Sequence, residues 1–414
     1  MANDRQRCAP ALPRRAGNRR TRSCGRAALF ALAGCTFALF GLIAMAKEQP
    51  MLDCPLRDAP YSIESPLMDI LLKPEAKAVA NRHMNSALDS FPESFASTQA
   101  PSFSAILTLS RVAGMAGIPV ADMASLDREL RALEVTDEDR VARCARYDAE
   151  PPRLAIPEGG PRLLLFQKIN GFRDVPSVEA ATAALREMAG RMGWSMVATD
   201  SGAVMTPSLL AQFDAVIWNN TSGDVLTLSQ RQAFMDYIDN GGGFVGIHGA
   251  GGDPVYFWDW YVDELIGARF IGHPMDPQFQ DAKVVIEATD SAIGNDMAPG
   301  WTMKEEWYSF ASSPRSAGAT VIATLDESSY SPVGRGGQDV RMGADHPIVW
   351  TRCVGDGRSF YSAIGHRPEL YSEPHNLKLL ERGILWAAGR GSTCCRDGSE
   401  VAARDLPRGR PLRY

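Results

Sequence analysis

Some patterns are missing from this chain of 414 residues, and their absence excludes whole classes of function. It contains no CxxC pair, so a cysteine-based zinc site is not indicated. Basic residues are scarce beyond residue 46: 35 of them stand against 48 acidic residues there, because eight arginines lie earlier. This acidic balance argues against a nucleic-acid partner. The rest of the composition, 45% hydrophobic and 22% charged, is typical of a globular protein with one large domain and a smaller one.

Residues 27–46 have no charged side chain and directly follow the arginine-rich start. A basic segment, an apolar run and the small-x-small sequence Ala44-Met45-Ala46 together predict an export signal, with Lys47 as the first mature residue. An apolar run of about 20 residues can also span a bilayer, so an uncleaved membrane anchor is the alternative. A lipobox ending at Cys35 is less favoured, because a strongly apolar stretch follows it. We therefore expect a periplasmic or otherwise extracytoplasmic protein, which touches the membrane only through this anchor if the signal is not cleaved.

The segment 47–158 has helical patterns and no catalytic constellation. Helix-start signals, which are an N-capping hydroxyl or a proline in the first turn, occur at Ser65-Pro66, Pro74 and Thr136. Cys54 and Cys144 bracket most of this segment, and we expect a disulfide between them in an oxidising compartment. The segment is predicted to be a small helical accessory region, and the prolines and glycines of residues 149–160 predict a linker behind it.

The periodicity changes after residue 160. Short apolar runs bounded by turns are typical of buried strands, and they occur at 162–167, 195–199, 214–218, 244–248, 282–289, 319–325 and 358–363. Amphipathic helices are predicted between or behind them at 177–192, 229–240 and 376–388. This alternation predicts βαβ units, and therefore an α/β domain over 161–389 that has three layers and a mainly parallel sheet. Residues 391–414, rich in arginine and proline, are predicted to form a flexible tail.

His248 ends the fourth predicted strand within the sequence Gly246-Ile247-His248-Gly249-Ala250. Small residues at these positions are the pattern of a nucleophile elbow, in which one side chain projects from a sharp turn above the sheet. A histidine there can act as a general base, a proton shuttle or a metal ligand, and a histidine satisfied by core hydrogen bonds is the alternative. Glutamine amidotransferase chemistry is excluded, because it needs a thiolate at this turn and no cysteine lies there.

Three further histidines lie at turn-forming sequences, and a carboxylate-rich segment, 304–308, accompanies them. Because the carboxyl ends of parallel strands meet at one edge of a sheet, we expect these groups to form one polar pocket. The catalytic candidates, which are also the candidate ligands of a zinc or manganese ion, are His248, His273, Glu306 and His366. The substrate-binding candidates are Asp174, Asn219, Thr221, Asp224, Asp345 and His346.

The chain resembles the ThuA-like (trehalose-utilisation) family, a branch of the class I glutamine amidotransferase-like superfamily. The resemblance spans about residues 161–389 and is carried, in order, by LLLFQKINGFR, AVIWNNTSGDVL, FMDYIDNGGGFVGIHGAGG, ARFIGHP, EEWYSF, VIATLDE, MGADHPIVW, RSFYSAIGHRPELY and LLERGILWAAG. It implies a flavodoxin-like sheet, an association with carbohydrates, particularly oxidised (keto) sugars, and metal binding in some members. Many relatives have histidine in the first loop where this chain has Asp174, so a histidine role is not inherited there.

Residues and resemblance together predict an exported carbohydrate-processing protein. We expect it to act on a sugar or keto-sugar derivative by acid–base chemistry of histidine and glutamate, or with the help of a divalent metal. Hydrolysis, elimination and isomerisation all stay open as the reaction. The alternative is a non-catalytic carbohydrate-binding module with the same fold, in which the pocket holds a sugar without converting it.

Overall fold

The structure is a computed structural model that describes residues 51–120 and 122–389. The predicted export signal or anchor (1–46) and the predicted tail (391–414) lie outside these residues. Within the described ranges, no helix is both long and apolar enough to cross a lipid bilayer.

The described residues of the accessory region form six short α-helices: α1 (Leu67–Leu72), α2 (Pro74–His83), α3 (Glu93–Ala96), α4 (Leu109–Ala116), α5 (Met123–Arg131) and α6 (Asp137–Cys144). Their apolar faces enclose a small core of their own around Leu67, Leu109 and Leu126. The disulfide between Cys54 and Cys144 is confirmed, with Cα atoms 5.4 Å apart.

Side-chain caps decide where two of these helices begin. α4 begins at Leu109, because the Thr108 hydroxyl accepts a hydrogen bond from the Arg111 amide. Thr136 and Asp139 form a reciprocal capping box at the start of α6, as the sequence Thr-Asp-Glu-Asp suggests. The accessory region is therefore helical, as predicted, and side-chain caps fix the starts of these two helices.

Eleven strands follow within the described residues: β1 (Arg162–Phe166), β2 (Ser195–Thr199), β3 (Ala215–Asn219), β4 (Gly243–Ile247), β5 (Phe270–Gly272), β6 (Phe279–Ile286), β7 (Gly300–Glu306), β8 (Ser309–Phe310), β9 (Thr320–Asp326), β10 (Pro347–Val354) and β11 (Gly357–Ser362). The helices among them are α7 (Val175–Met192), α8 (Pro207–Leu210), α9 (Leu228–Asp239) and α10 (Pro374–Ala387), with a short π-helix at Trp260–Ile266.

Nine of the strands form one sheet in the order β2-β1-β3-β4-β11-β10-β9-β6-β7, and β5 pairs only with β8. The first five strands are parallel to one another, and the remaining neighbours pair antiparallel. Because antiparallel neighbours alternate in direction, β10 and β6 alone run against the other seven strands of the sheet. The prediction of a mainly parallel sheet is confirmed, and the antiparallel extension was not predicted.

Adjacent residues of β3 show the three layers, because successive side chains of a strand point to opposite faces. The Trp218 ring stacks on Phe234 of α9, with ring centroids 5.5 Å apart. The Asn219 amide instead donates to the carbonyl of Val178 on α7, at 3.1 Å. The sheet therefore lies between two helical layers, and the parallel order β2-β1-β3-β4-β11 is flavodoxin-like.

The strand order reverses between β1 and β3, since β1 lies between β2 and β3. In open α/β sheets, the crevice beyond the carboxyl ends of the strands at such a reversal is where ligands bind. The loops after β1, β3, β4 and β11 border this edge, and they carry five of the ten candidate residues.

Candidate functional site

His248 is the first residue after β4, in a turn that forces its backbone into the left-handed region (φ 41°). Its Nδ1 lies 2.7 Å from the carbonyl oxygen of Ala363. Because a carbonyl only accepts hydrogen bonds, Nδ1 carries the proton in the neutral ring, and the lone pair of Nε2 points at the other candidate groups. The side chain is buried, and burial lowers the pKa of His248 although a contact with Glu306 opposes this.

Glu306 ends β7 and supplies the carboxylate at the centre of the cluster. Its Oε2 lies 2.9 Å from His366 Nδ1 and 3.4 Å from His248 Nε2, and its Oε1 accepts from the Gln278 side-chain amide. Burial alone would raise the pKa of Glu306, but the neighbouring imidazoles of His248 and His366 hold it well below its usual range. The carboxylate is therefore ionised at neutral pH and can bind a cation.

His366 follows β11 and brings the second imidazole to within 3.3 Å of His248, measured from Nδ1 to Nε2. Its backbone N–H donates to the Glu305 carboxyl at 3.1 Å, which fixes the turn. Burial lowers the pKa of His366, but the hydrogen bond and negative charge of Glu306 outweigh this and raise it above its usual value. The ring therefore holds a proton more readily than His248 does.

The three donor atoms, His248 Nε2, Glu306 Oε2 and His366 Nδ1, form a triangle with sides of 3.3, 3.4 and 2.9 Å. A tetrahedral zinc ion with Zn–N bonds of about 2.0–2.1 Å sets its ligand atoms about 3.3 Å apart. The triangle thus matches one face of such a tetrahedron. Two imidazoles and one carboxylate also match the three protein ligands that catalytic zinc sites commonly use.

His273 and Asp174 lie beside this triangle rather than in it. His273 Nδ1 donates to the carbonyl of Pro274 at 2.8 Å, so its Nε2 faces Glu306 Oε1, at 3.3 Å. Asp174 precedes α7, and its Oδ2 lies 3.9 Å from His366 Nε2. Both side chains are partly exposed, so they lie between the buried cluster and solvent.

Three substrate-binding candidates, Asn219, Thr221 and Asp224, lie at the end of β3 and in the loop behind it, and two of them are engaged in other contacts. Asn219 is fully buried and donates to α7. The Asp224 carboxylate pairs with Arg231 at 2.5 Å and accepts from the Tyr147 hydroxyl at 3.0 Å, joining the accessory region to the α/β domain. The Thr221 hydroxyl is buried and has no hydrogen-bond partner among the described residues. None of the three forms a described hydrogen bond to the three donor atoms of His248, Glu306 and His366.

The pair Asp345-His346 is also engaged elsewhere. Asp345 forms a partly exposed ion pair with Arg315, at 2.9 Å. His346 is completely buried: its Nδ1 contacts the Glu327 carboxylate at 2.8 Å, and its Nε2 donates to the Tyr308 carbonyl at 2.8 Å. Both nitrogens are thus occupied by protein groups, which is the pattern of a structural histidine.

Two residues of the segment 304–308 that were not among the predicted site residues, Tyr308 and Glu305, also contact the cluster. The Tyr308 ring stacks on the His248 imidazole, with centroids 4.1 Å apart, and forms one wall of the cluster. Glu305 is fully buried, and burial raises its pKa to about 8 although backbone N–H donors oppose this. In the sequence, the adjacent carboxylates and aromatic residues of this segment could have indicated both residues. Gln278, which also binds Glu306, gave no signal in the sequence.

The fold and the cluster define a flavodoxin-like α/β protein with a candidate metal centre at its strand-end crevice. The sequence profile of the ThuA family, described as trehalose utilisation, matches residues 162–387, more than half of the chain. The chain therefore belongs to the ThuA family, as the resemblance predicted. A comparison with curated proteins finds no match.

Two solved structures match part of this chain. A ThuA-like protein from Bacteroides uniformis ATCC 8492 shares 24% identity, over 59% of this chain and 97% of that one, with a TM-score of 0.49. A ThuA-like protein from Parabacteroides merdae ATCC 43184 shares 14% identity, over 56% of this chain and 91% of that one, with a TM-score of 0.39.

Proposed function

We propose that this protein processes a sugar or keto-sugar derivative at the cluster of His248, Glu306 and His366. The observation that carries the proposal is the convergence of their three donor atoms, with metal-like spacing, at the edge where α/β proteins bind ligands. Membership of a trehalose-utilisation family supports a carbohydrate as the ligand. We propose zinc or manganese as the metal, because both accept imidazole and carboxylate ligands.

The residues of the cluster suit chemistry next to a sugar carbonyl. A bound metal would stabilise negative charge that develops on a carbonyl or hydroxyl oxygen. Near it, His273 Nε2 lies against Glu306 and is partly exposed, so it can take up or release a proton at the substrate. Asp174, also partly exposed, can accept a hydrogen bond from a sugar hydroxyl. Proton transfer of this kind serves hydrolysis, elimination or isomerisation of a keto-sugar.

We also propose that the protein works outside the cytoplasm. The disulfide between Cys54 and Cys144 supports this, because structural disulfides persist in oxidising compartments. The charge-free run at 27–46 behind eight arginines supports export by the same route. Fractionation of cells that produce the full chain checks the location. Recovery in the cytoplasm with reduced cysteines would contradict it.

The decisive experiment combines metal content with turnover. Full-length protein purified from the native envelope is analysed for bound elements and assayed with a 3-keto-glycoside. The variant is His248→Asn, because asparagine tolerates the left-handed backbone that this turn requires. The matched control is His375→Asn, a partly exposed histidine on α10 that pairs with Glu373.

We expect about one metal ion per chain and turnover in the wild type and in the control, and loss of both in His248→Asn. Unaffected turnover in His248→Asn overturns the proposed site. Sugar binding that persists in the wild type without turnover, with any keto-sugar offered, favours the non-catalytic binding module instead.

A further inference from the structure

The accessory region holds the loop that follows β1. The backbone N–H of Ser102 donates to the carbonyl of Asn170 at 3.0 Å. A Cβ atom on Gly171 would lie 2.6 Å from Ile106 Cγ2, so the Ile106 side chain can pack this closely on the loop only with glycine here. From the other side, the Ser222 carbonyl accepts from the N–H groups of Asn170 and Gly171, at 3.0 and 2.9 Å. The loop is therefore clamped between the accessory region and the loop behind β3.

Phe172 projects from this clamped loop toward the candidate site. Its ring stacks on Phe103, with centroids 5.0 Å apart, and Phe103 stacks on Phe95 at 4.7 Å. A second ring near Phe172 is that of His366, whose centroid lies 6.1 Å away. A row of aromatic rings thus leads from the accessory region to one of the three donor groups.

Phe172 stays unusually exposed for its type. It is 40% accessible, and it is the only aromatic residue among the exposed large hydrophobic residues in the part of the chain that the structure describes. Val175, 46% accessible, lies three residues further on at the start of α7. An exposed ring that is rigidly backed by a second ring is arranged to receive a third, since aromatic side chains gain from stacking as well as from burial.

Polar residues follow Phe172 and its neighbour His366 in the chain: Asp174 comes two residues after Phe172, and Arg367 directly follows His366. Asp174 and Arg367 are partly exposed, and the His273 ring reaches the surface on the other side of Glu306. An apolar face with a polar rim matches a six-membered ring of a glycoside, which has apolar C–H faces and, when it is a sugar, hydroxyls at its edge. The chemistry therefore favours a ring stacked on Phe172 with its edge near Asp174.

We propose that Phe172, backed by Phe103, is a stacking subsite for the second ring of a glycoside whose first ring lies at the His/Glu cluster. The second ring is the leaving group or aglycone, either a sugar or an aromatic ring. This assigns the accessory region a part in substrate recognition: it supplies the supporting ring and holds the loop. The proposal rests on the proposed function for the position of the first ring.

Binding calorimetry on full-length protein tests it with two probes, methyl 3-keto-α-glucoside and phenyl 3-keto-α-glucoside. The variants are Phe172→Ala and Phe103→Ala, and the control is Val141→Ala, an exposed apolar residue on α6 that serves no proposed role. We expect the wild type and the control to prefer the phenyl glycoside about 10-fold, as one aromatic stack allows. Phe172→Ala should abolish that preference and leave methyl-glycoside affinity and metal content unchanged. Phe103→Ala should reduce it.

The outcomes separate this subsite from the proposed function. If the wild type turns neither probe over but Phe172→Ala abolishes the phenyl preference, the subsite is supported and the proposed chemistry fails. If the wild type turns the probes over and Phe172→Ala keeps the wild-type preference for the phenyl glycoside, the subsite is overturned and the proposed chemistry stands. A wild type that binds both probes equally, or neither, also overturns the subsite.

Discussion

Asp253 is a buried carboxyl group that ties together the loops around the candidate site. One oxygen lies 2.5 Å from the Ser222 hydroxyl, and the other accepts from the Gly223 N–H at 2.7 Å. Ser222 in turn accepts from the N–H of Phe172, at 3.0 Å. Burial raises the pKa of Asp253 to about 7, although both of its hydrogen bonds oppose this. The loops behind β1, β3 and β4 therefore share one group that ionises near neutral pH.

This raised pKa makes stability depend on pH in a defined direction. In the unfolded chain the group titrates near its ordinary value, 3.8, so between about pH 4 and pH 7 the folded state holds a proton that the unfolded state has released. Its contribution to stability is therefore full below about pH 4 and is lost as pH rises to about 7. At about 1.36 kcal/mol per pKa unit, ionised Asp253 costs the folded state about 4 kcal/mol at pH 8.

The substitution Asp253→Asn removes this dependence, because asparagine mimics the protonated acid. Its carbonyl can accept from Gly223, and its amide can donate to the Ser222 hydroxyl. Urea unfolding of both proteins at pH 5 and pH 8 measures the effect, with Asp290→Asn, an exposed aspartate, as the control. The free energy of unfolding of the variant relative to the wild type should rise by about 3 kcal/mol between the two pH values. Other titrating groups are common to both proteins and cancel. A difference that stays constant, or shrinks, refutes the assignment of a raised pKa to Asp253.

Three further predictions concern the metal, the disulfide and the packing behind His248. Zinc at 100 times its dissociation constant should raise the free energy of unfolding of the wild type by about 2.7 kcal/mol in a thermal scan. Glu306→Gln should remove that gain, and equal shifts in both proteins would contradict the site. Cys54→Ser opens a cross-link spanning 90 residues and should lower the free energy of unfolding, measured in urea, by about 2–5 kcal/mol. An unchanged urea midpoint would mean that other contacts hold the accessory region. Gly365→Ala should abolish metal binding in elemental analysis, because its Cβ would lie 3.1 Å from that of His248, while Gly336→Ala, with open space around it, should retain the metal. Metal retained in Gly365→Ala would show that the turn adapts.

The parallel half of the sheet could be predicted from sequence, and the antiparallel half only in part. Buried parallel strands are short apolar runs between turns, so β1 and β3 were visible as such. β7 (Gly300–Glu306) was missed because one of its faces is exposed and it ends in three charged residues. Its place as a strand is decided by pairing with β6, and such tertiary contacts override local preference.

The candidate site shows the same division. The elbow pattern identified His248, because a strand that ends in small residues constrains where the next side chain can point. The turn sequences around His346 gave an equally strong pattern, but they could not reveal that Glu327 and the Tyr308 carbonyl occupy its two nitrogens. Those partners come from other elements, so only the assembled fold separates a structural histidine from an available one.

His346 therefore serves as an internal standard for the alternative that His248 is merely a satisfied core histidine. In His346 each nitrogen has a fixed protein partner at 2.8 Å. In His248 only Nδ1 has such a partner, at 2.7 Å, whereas Nε2 lies 3.3 and 3.4 Å from His366 and Glu306. Those separations are long for hydrogen bonds and close to the spacing between ligands of one zinc ion. Because a buried polar atom is costly unless it is well paired, the loosely paired Nε2 and the left-handed backbone of His248 are more readily explained by ligand binding than by packing.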